Sequence, residues 1–296
     1  MDTRQLEYFV AVAEELNFTR AAARLFAVQS TVSAGIRSLE SELGATLFER
    51  STKRVSLTAA GARVLPEARA VIEAVDRVRS AASENSRDIR GRLRVGIFTS
   101  LAYLDLPGLF GEFHERYPLV DLQLTASPSG STGFTDDVRR GRVDLAFVGL
   151  AVGDLAGFHV VELTRTGFGA VLPTTHPLAG RTGVDLAELT QESWVDTPAG
   201  FGNRVILDRA LAERGLSRTI TAQVSELGVV AEFVAAGLGI AVIPEVAYSP
   251  AEGTVIVPIE PPVSWSLSAI TRPGASPAVA ALLELMAERF AVDRRA

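Results

Sequence analysis

The chain has 296 residues, enough for about two domains of ordinary size, and 47% hydrophobic with 22% charged residues is typical of a globular protein. Its formal net charge of −6 argues against a protein that coats nucleic acid or an anionic membrane. The absence of cysteine excludes disulfides, thiolate catalysis and cysteine-bound zinc or iron–sulfur clusters. Three scattered histidines do not form a metal-site or catalytic-triad pattern.

The first residues, MDTRQLEYFVAVAEELNF, do not have the pattern of a signal peptide, because Glu7, Glu14 and Glu15 interrupt the apolar residues. No stretch approaches the roughly 18 uninterrupted apolar residues that a membrane-spanning helix requires. We therefore expect no membrane partner and a cytoplasmic location.

Charge is distributed unevenly along the chain. Residues 1–92 carry 14 Arg and Lys against 12 Asp and Glu, whereas the remainder has a net charge of −8. Residues 20–63 hold seven cations and three anions. Such a basic patch is typical of a surface that contacts phosphates, and an ordinary solvated face is the alternative interpretation.

Apolar residues at helical spacing predict three helices in the first 45 residues, in the order of a helix-turn-helix. Polar groups cluster near the start of the third helix, where a recognition helix meets base edges; Gln can pair with adenine, and Ser or Thr can bond bases or phosphates. Capping is the alternative role for Ser and Thr, although it does not explain Ser33 or Arg37. The expected helices cover residues 3–17, 20–25 and 30–43, with Asp2 or Thr3, Thr19 and Ser30 available as N-caps and Gly44 as the stop. The predicted DNA-binding residues of this region are Thr19, Gln29, Ser30, Thr31, Ser33 and Arg37.

Two short β-prone pieces, Thr46–Glu49 and Val55–Leu57, flank the polar turn Ser51–Arg54 and predict a β-hairpin wing. Its cations would lie along the DNA backbone. We therefore predict a winged helix-turn-helix over residues 1–58, with Arg50, Lys53 and Arg54 as further DNA-binding residues.

A long helix is expected next, capped by Thr58 and continuing to about Ser86, with Pro66 early enough to be tolerated. Its apolar seam alternates three- and four-residue steps and suits pairing between two chains; packing on its own domain is the alternative. Residues 59–91 would form this linker helix and a hinge. The predicted dimerisation residues are Leu65, Ala68, Ile72, Val75 and Ala82.

From Arg92 onward, strand-like and helix-like segments alternate, which predicts an α/β fold with mostly parallel sheets. The expected strands cover 93–97, 122–126, 143–148, 168–172, the surroundings of Val195, 220–224, 240–243, 255–259 and 267–271. The expected helices cover 106–117, 135–140, 203–214, 227–236 and 277–290.

Five stretches of the N-terminal part resemble the DNA-binding half of the LysR-type transcriptional regulators: NFTRAAARL from Asn17, QSTVS from Gln29, IRSLESELG from Ile36, LFER from Leu47 and LTAAG from Leu57. The chain departs from the family at Ala34 and Gly35, where relatives often have a larger polar pair. This departure removes possible DNA contacts, so the operator sequence of relatives is not carried over.

The C-terminal part resembles the effector-binding domain of the same family through FHERYP from Phe113, GRVDLA from Gly141, HPL from His176 and AAGLGIAVIP from Ala235. The resemblance implies two α/β lobes like those of a periplasmic binding protein, with a small-molecule site in the cleft and no cofactor. The domain would cover 92–296, with lobe one at 92–162 and 267–296, lobe two at 163–266, and crossovers near Val161–Leu163 and Trp265–Leu267.

In such folds, ligands bind beyond the carboxyl ends of strands, against helix N-termini. Hydroxyls and backbone N–H groups there suit a carboxylate or another small anion, although each Ser or Thr has helix capping as an alternative role. Gly130 and Gly133 would let the backbone approach a ligand closely. No arginine falls at a strand end that faces the expected cleft, which disfavours a dianionic effector. The predicted effector-binding residues are Thr99, Ser100, Ser127, Ser129, Gly130, Ser131, Thr132, Gly149, Thr197, Phe201, Asn203 and Leu227.

The best-supported hypothesis is a ligand-responsive transcription factor that binds a partly dyad-symmetric operator. The family resemblance implies a homodimer and commonly a homotetramer. An enzyme on the same scaffold would need a nucleophile, base or metal site, and no GxSxG, HExxH or P-loop is present. A solute-binding transport component would have a signal peptide and no winged helix. We therefore expect no enzymatic activity.

Overall fold

The computed structural model describes residues 1–50, 54–81, 89–98 and 104–290, without the side chains of Arg50, Asp76 and residues 79–81. Four residues singled out above therefore lie outside the described part of the chain, namely Lys53, Ala82, Thr99 and Ser100. The chain divides into two compact units. Unit 1 comprises Met1–Gly91 with Arg140–Arg142, and unit 2 comprises Arg92–Arg139 with Val143–Ala296.

Unit 1 begins with three helices, α1 (Thr3–Glu15), α2 (Phe18–Arg24) and α3 (Gln29–Leu43). Asp2 caps α1 in a capping box with Gln5. The expected caps of the next two helices were wrong. Asn17 caps α2, because its Oδ1 accepts hydrogen bonds from the N–H groups of Thr19 and Arg20 at 2.9 and 3.0 Å. The third helix begins after Val28 without a side-chain cap, so Ser30 lies inside the helix. These differences place the hydroxyls of Thr19 and Ser30 away from the capping position.

A short antiparallel hairpin follows, formed by β1 (Phe48–Arg50) and β2 (Val55–Leu57). Glu40 near the end of α3 holds it, because Oε1 accepts hydrogen bonds from the N–H groups of Leu47 at 2.8 Å and Phe48 at 3.2 Å. The long helix α4 (Ala59–Ala81) comes next. As expected, Thr58 caps it: Oγ1 accepts a hydrogen bond from the N–H of Gly61 at 2.9 Å. The expected continuation to Ser86 lies outside the described residues.

The core of unit 1 joins α4 to the first three helices. Fully buried Phe9, Val12, Val32, Ile36 and Leu39 form its centre. On α4, Ala68 is buried in this core, and Leu65 and Ile72 pack against it. Ala68 is thus covered within its own unit, whereas Leu65 and Ile72 are half-buried, so the dimerisation seam stays a prediction. The large apolar side chains that the described part of α4 exposes are Val71, at 42%, and Val78, at 70%.

The described strands of unit 2 are β3 (Gly91–Gly96), β4 (Val120–Thr125), β5 (Leu145–Val148), β6 (His159–Pro173), β7 (Ser193–Asp196), β8 (Thr219–Gln223), β9 (Ala241–Pro244), β10 (Thr254–Pro258) and β11 (Ser264–Thr271). Seven of them form one sheet in the order β10-β6-β11-β5-β3-β4, with β9 also paired to β6, and β7 and β8 form a separate pair.

The expectation of mostly parallel sheets was wrong. The β3–β5 and β7–β8 ladders are parallel. In contrast, β6 pairs antiparallel with β9, β10 and β11, and β11 pairs antiparallel with β5. The cause is the length of β6, whose 15 residues exceed the expected strand 168–172. Its first part pairs with β11 and its last part with β9 and β10, so one strand connects both halves of the sheet.

The helices of unit 2, within the described residues, are α5 (Leu106–Arg116), α6 (Gly130–Arg139), α7 (Gly202–Glu213), α8 (Val230–Ala235) and α9 (Pro277–Phe290). α6 begins five residues before the start expected at residue 135, so residues 130–134 also belong to the helix. The register between β6 and β11 shifts at Leu267/Ser268, close to the expected crossovers. None of the described helices is both long enough and apolar enough to span a membrane.

Candidate nucleic-acid interface and ligand cavity

The third helix α3 has one buried and one exposed face. Val32, Ile36 and Leu39 are fully buried, whereas Gln29 and Arg37 are exposed. Residues three and four apart share a helix face, so the polar residues of the first turns form one surface. The structure therefore brings most of the predicted α3 residues together on that surface. Its predicted members are Gln29, Ser30, Thr31 and Arg37, all exposed, and half-buried Ser33, while Thr19 is exposed at the start of α2.

Some of the cations between residues 20 and 63 are neutralised within unit 1. Arg20 bonds Glu15 at 3.1 Å, and Arg24 bonds Glu14 at 2.5 Å. Arg37, in contrast, makes no ion pair with any residue that the structure describes. Fewer cations are therefore available to contact phosphates than the sequence count indicates, and Arg37 on the exposed face of α3 is one of them.

The wing supplies the other predicted cations. Arg54 is exposed immediately before β2. The backbone of Arg50 ends β1, and its side chain is outside the described atoms, as is all of Lys53. The hairpin itself is thus present where the sequence predicts it.

Gly35 has a packing role that the departure from the family pattern at Ala34 and Gly35 does not indicate. A Cβ built on Gly35 would lie 2.5 Å from Cδ2 of the Tyr8 ring on α1. A side chain at position 35 would therefore collide with α1. Only Ala34 of the departing pair is left to face outward, so at position 35 the small residue serves helix packing.

Unit 2 contains a cavity of about 380 Å³, measured out to its mouth. Five predicted residues line it: Ser131, Gly149, Phe201, Asn203 and Leu227. Five further lining residues were not predicted: three are apolar side chains that the sequence does not distinguish from core residues, and two are a glycine and a serine close to predicted positions. These are Phe98, Gly202, Ser225, Trp265 and Leu267.

The remaining described predictions do not line the cavity. These are Ser127, Ser129, Gly130, Thr132 and Thr197. The space beside Gly130 is filled by the segment before α7, since a Cβ there would lie 2.7 Å from the Cα of Phe201. The N–H of Thr132 donates to the carbonyl of Gly200 at 3.1 Å. The start of α6 is thus occupied by the backbone of Gly200 and Phe201.

The end of β5 and the start of α7 approach each other closely. A Cβ on Gly202 would lie 2.2 Å from the carbonyl oxygen of Gly149, and a Cβ on Gly149 would lie 2.6 Å from Nε1 of Trp265. Because both contacts leave no room for a side chain, these glycines permit the backbone approach that bounds the cavity.

A charged network around Asp196, at the end of β7, connects to the cavity wall. Asp196 is 3% exposed, and its carboxylate bonds Arg218 at 2.5 Å and lies 3.7 Å from Arg204. Burial raises the pKa of Asp196 above its ordinary 3.8, although both arginines oppose that rise. The N–H of Thr197 donates to Asp196 at 2.7 Å, and Thr197 in turn bonds Asn203 of the cavity wall.

Within the described ranges, no group of three or more His, Asp or Glu side chains could hold a metal ion. The cavity lining offers hydroxyl, amide and apolar groups, which are suited to binding a small molecule.

Comparison with known protein families and proteins assigns both parts of the chain. The model of the bacterial regulatory helix-turn-helix protein, lysR family, matches residues 3–62, and that of the LysR substrate binding domain matches residues 86–291. Among curated relatives, the HTH-type transcriptional regulator ShiR of Corynebacterium glutamicum is 39% identical over 244 residues, which is 82% of each chain. The transcriptional dual regulator GltC of Bacillus subtilis is 32% identical over 265 residues, covering 88% of this chain and 87% of its own.

Solved structures agree with this assignment. A full-length variant of OxyR from Pseudomonas aeruginosa superposes with a TM-score of 0.79 at 26% identity, covering 97% of this chain and 95% of its own. Full-length CbnR in complex with its target DNA gives a TM-score of 0.58 at 25% identity, covering 97% and 99%. The matched families and relatives are regulators and not enzymes. The chain belongs to the LysR family of transcriptional regulators, which bind DNA through a helix-turn-helix domain, respond to small-molecule effectors and oligomerise.

Proposed function

We propose that this regulator reads its operator with the exposed face of α3 and contacts the DNA backbone with the wing. The observation that carries this proposal is the division of α3 into a fully buried apolar face and an exposed polar face at its first turns. Gln29 and Thr31 would contact base edges, whereas Arg37 and the wing cation Arg54 would contact phosphates. Thr19, Ser30, Ser33, Arg50 and Lys53 remain proposed members of the same interface.

We infer a homodimer held by α4, with a homotetramer as the larger assembly. The paired seam would centre on Val71 and Val78, seven residues apart and both exposed. Val75 and Ala82 remain predicted members of this seam. Two-fold symmetry then gives two half-sites and a partly dyad-symmetric operator. The proposed location is the cytoplasm, where a bacterial regulator meets DNA.

The proposed domain organisation is a DNA-binding domain at 1–58, a linker at 59–91 and an effector domain at 92–296. Lobe one would cover 92–162 and 267–296, and lobe two 163–266. The effector would bind in the cavity between these lobes. Its preference for one lobe arrangement would shift the spacing of the two winged helices on DNA.

A mobility-shift titration of the full chain on DNA from upstream of its own gene tests the proposal. We expect a specific complex whose affinity falls steeply as salt rises from about 50 to 200 mM, because bound phosphates release counterions. Arg37→Ala should weaken binding to specific and random DNA alike and lower the salt slope by about one. Binding that does not respond to salt, or an Arg37→Ala variant with the wild-type slope, would contradict the assignment.

A further inference from the structure

The walls of the cavity in unit 2 are mainly aromatic and aliphatic. Phe98 and Phe201 face each other with ring centroids 6.0 Å apart and planes inclined by 44°, and Trp265, Leu227 and Leu267 complete the apolar lining. Among the described residues that line the cavity, none carries a charge. Such walls favour a ligand whose body is apolar and rigid enough to lie against rings.

Two deeply buried polar side chains line the same cavity, and both have a hydrogen-bond donor left over. Ser131 is 1% exposed, and its Oγ accepts from the N–H of Gly149 at 3.0 Å, so its hydroxyl proton remains to donate. Asn203 is 3% exposed, and its amide contacts Thr197 Oγ1 through Nδ2 at 3.0 Å, which engages one of its two N–H groups. Within the described residues, neither leftover donor has an acceptor.

The start of α7 adds donors on the same side. This 12-residue helix begins at Gly202 after Phe201, and no side chain caps it. Gly202 and Asn203 both line the cavity. Backbone N–H groups of the first helical turn lack intrahelical acceptors, so they favour a ligand oxygen that carries negative charge.

Nearby arginines are committed elsewhere. Arg204 follows Asn203, yet its side chain bonds both oxygens of Asp208 at 2.9 Å and the carbonyl of Thr197 at 3.1 Å. Arg218 bonds Asp196 at 2.5 Å. The described cavity therefore offers one cluster of donors and no cation to pair with a second anionic group.

The cavity is limited at one end. The close contact between Gly202 and the carbonyl oxygen of Gly149 leaves no room for a side chain there. This limit favours a compact ligand over an extended one.

We propose that the effector is a ring-bearing monocarboxylate: an apolar ring packed against Phe98, Phe201 and Trp265, and one carboxylate accepting hydrogen bonds from Ser131, Asn203 and the start of α7. This inference rests on the proposed function of the cavity as the effector site. It excludes dicarboxylates, because a second carboxylate would be buried against apolar walls without a cation.

Isothermal titration of the full-length protein with four probes tests the proposal: benzoate, cyclohexanecarboxylate, phthalate and succinate. We expect the two monocarboxylates to bind and the two dicarboxylates to bind at least about tenfold more weakly. Ser131→Ala should weaken benzoate binding about 10- to 100-fold, because it removes a hydrogen bond to a charged group. The matched control is Ser129→Ala, on the same segment and exposed outside the cavity, which should bind benzoate like the wild type.

The variant Leu227→Trp places a larger side chain at a half-buried position of the cavity wall. It distinguishes an error in the location of the site from an error in the class of ligand. Loss of benzoate binding in this variant supports the proposal. Binding of phthalate or succinate that Leu227→Trp abolishes would overturn the ligand class and leave the site standing. Benzoate binding that survives Leu227→Trp would overturn the site itself. Failure of both monocarboxylates to bind at millimolar concentration would also overturn the ligand class.

Discussion

Glu40 anchors the wing, and replacing it should release the hairpin without unfolding the helices. Its Oε1 accepts hydrogen bonds from the N–H groups of Leu47 and Phe48, two residues that are 0% and 2% exposed. Glu40→Ala leaves both N–H groups buried without this acceptor. A hydrogen bond to a charged group contributes about 1.5–3 kcal/mol, and the two bonds share one carboxylate oxygen, so we expect a loss of about 2–4 kcal/mol in local stability. The equilibrium for wing opening should then rise roughly 30- to 700-fold.

Hydrogen–deuterium exchange followed by mass spectrometry measures that opening in the segment 45–57. We expect faster exchange there in Glu40→Ala and unchanged exchange in α1. Glu40→Gln retains an oxygen acceptor without the charge and should give an intermediate rate. Glu42→Ala is the matched control on the same helix, because its side chain is 49% exposed. Equal exchange in Glu40→Ala and Glu42→Ala would refute the reasoning.

Three further predictions concern other parts of the chain. Phe26 has a φ of +50° and is 99% exposed, so Phe26→Gly should raise the free energy of unfolding by about 0.5–1 kcal/mol, measured by thermal unfolding. Gly44 has a φ of +62°, so Gly44→Ala should lower the free energy of unfolding by about 1–2 kcal/mol. A Phe26→Gly variant that melts at a lower temperature than the wild type would contradict the backbone argument. Val78→Glu should dissociate the dimer in analytical ultracentrifugation, while Ala62→Glu on the opposite side of α4 should not; dimers that persist in both would exclude the proposed seam. The pKa of Asp196 is raised in the folded chain, so its contribution to stability is complete below pH 3.8 and is lost as the pH rises through the folded pKa. In urea unfolding at graded pH, the stability of the wild type relative to Asp196→Asn should therefore fall over that window. A relative stability that rises there would contradict a raised pKa.

The DNA-binding half was predictable because its structure is determined locally. Apolar spacing along α1 and α3 and the turn residues of the wing place each element with little help from distant parts of the chain. The errors there arise from competition between neighbours. Asn17 and Thr19 can each cap α2, and the choice depends on backbone conformation that the sequence does not reveal. Leu65 and Ile72 form a seam that fits either a partner helix or the core of unit 1.

For the effector half, the sequence predicted the α/β fold class, but it predicted much less of the strand pairing and of the cavity lining. A 15-residue strand such as β6 pairs with three different partners, and its antiparallel pairing depends on residues about 70–110 positions away in sequence. The cavity shows the same limitation. Polar side chains that follow strand ends led to the prediction of Ser131 and Asn203. In the sequence, Trp265 and Phe98 look like core residues, and only the arrangement of the strands places them in the cavity wall. The uncharged lining emerges only from that arrangement.

If the first turns of α3 read the operator, a base-pair scan of the operator detects this most directly. Each position of the upstream binding site is replaced in turn, and the affinities of the wild type and Gln29→Ala are measured by mobility shift at fixed salt. We predict that Gln29→Ala loses about 1–3 kcal/mol of discrimination at one base pair in each half-site, symmetrically, and keeps the wild-type profile elsewhere. Identical profiles for the two proteins, or a uniform loss of affinity without any change of preference, would contradict the claim.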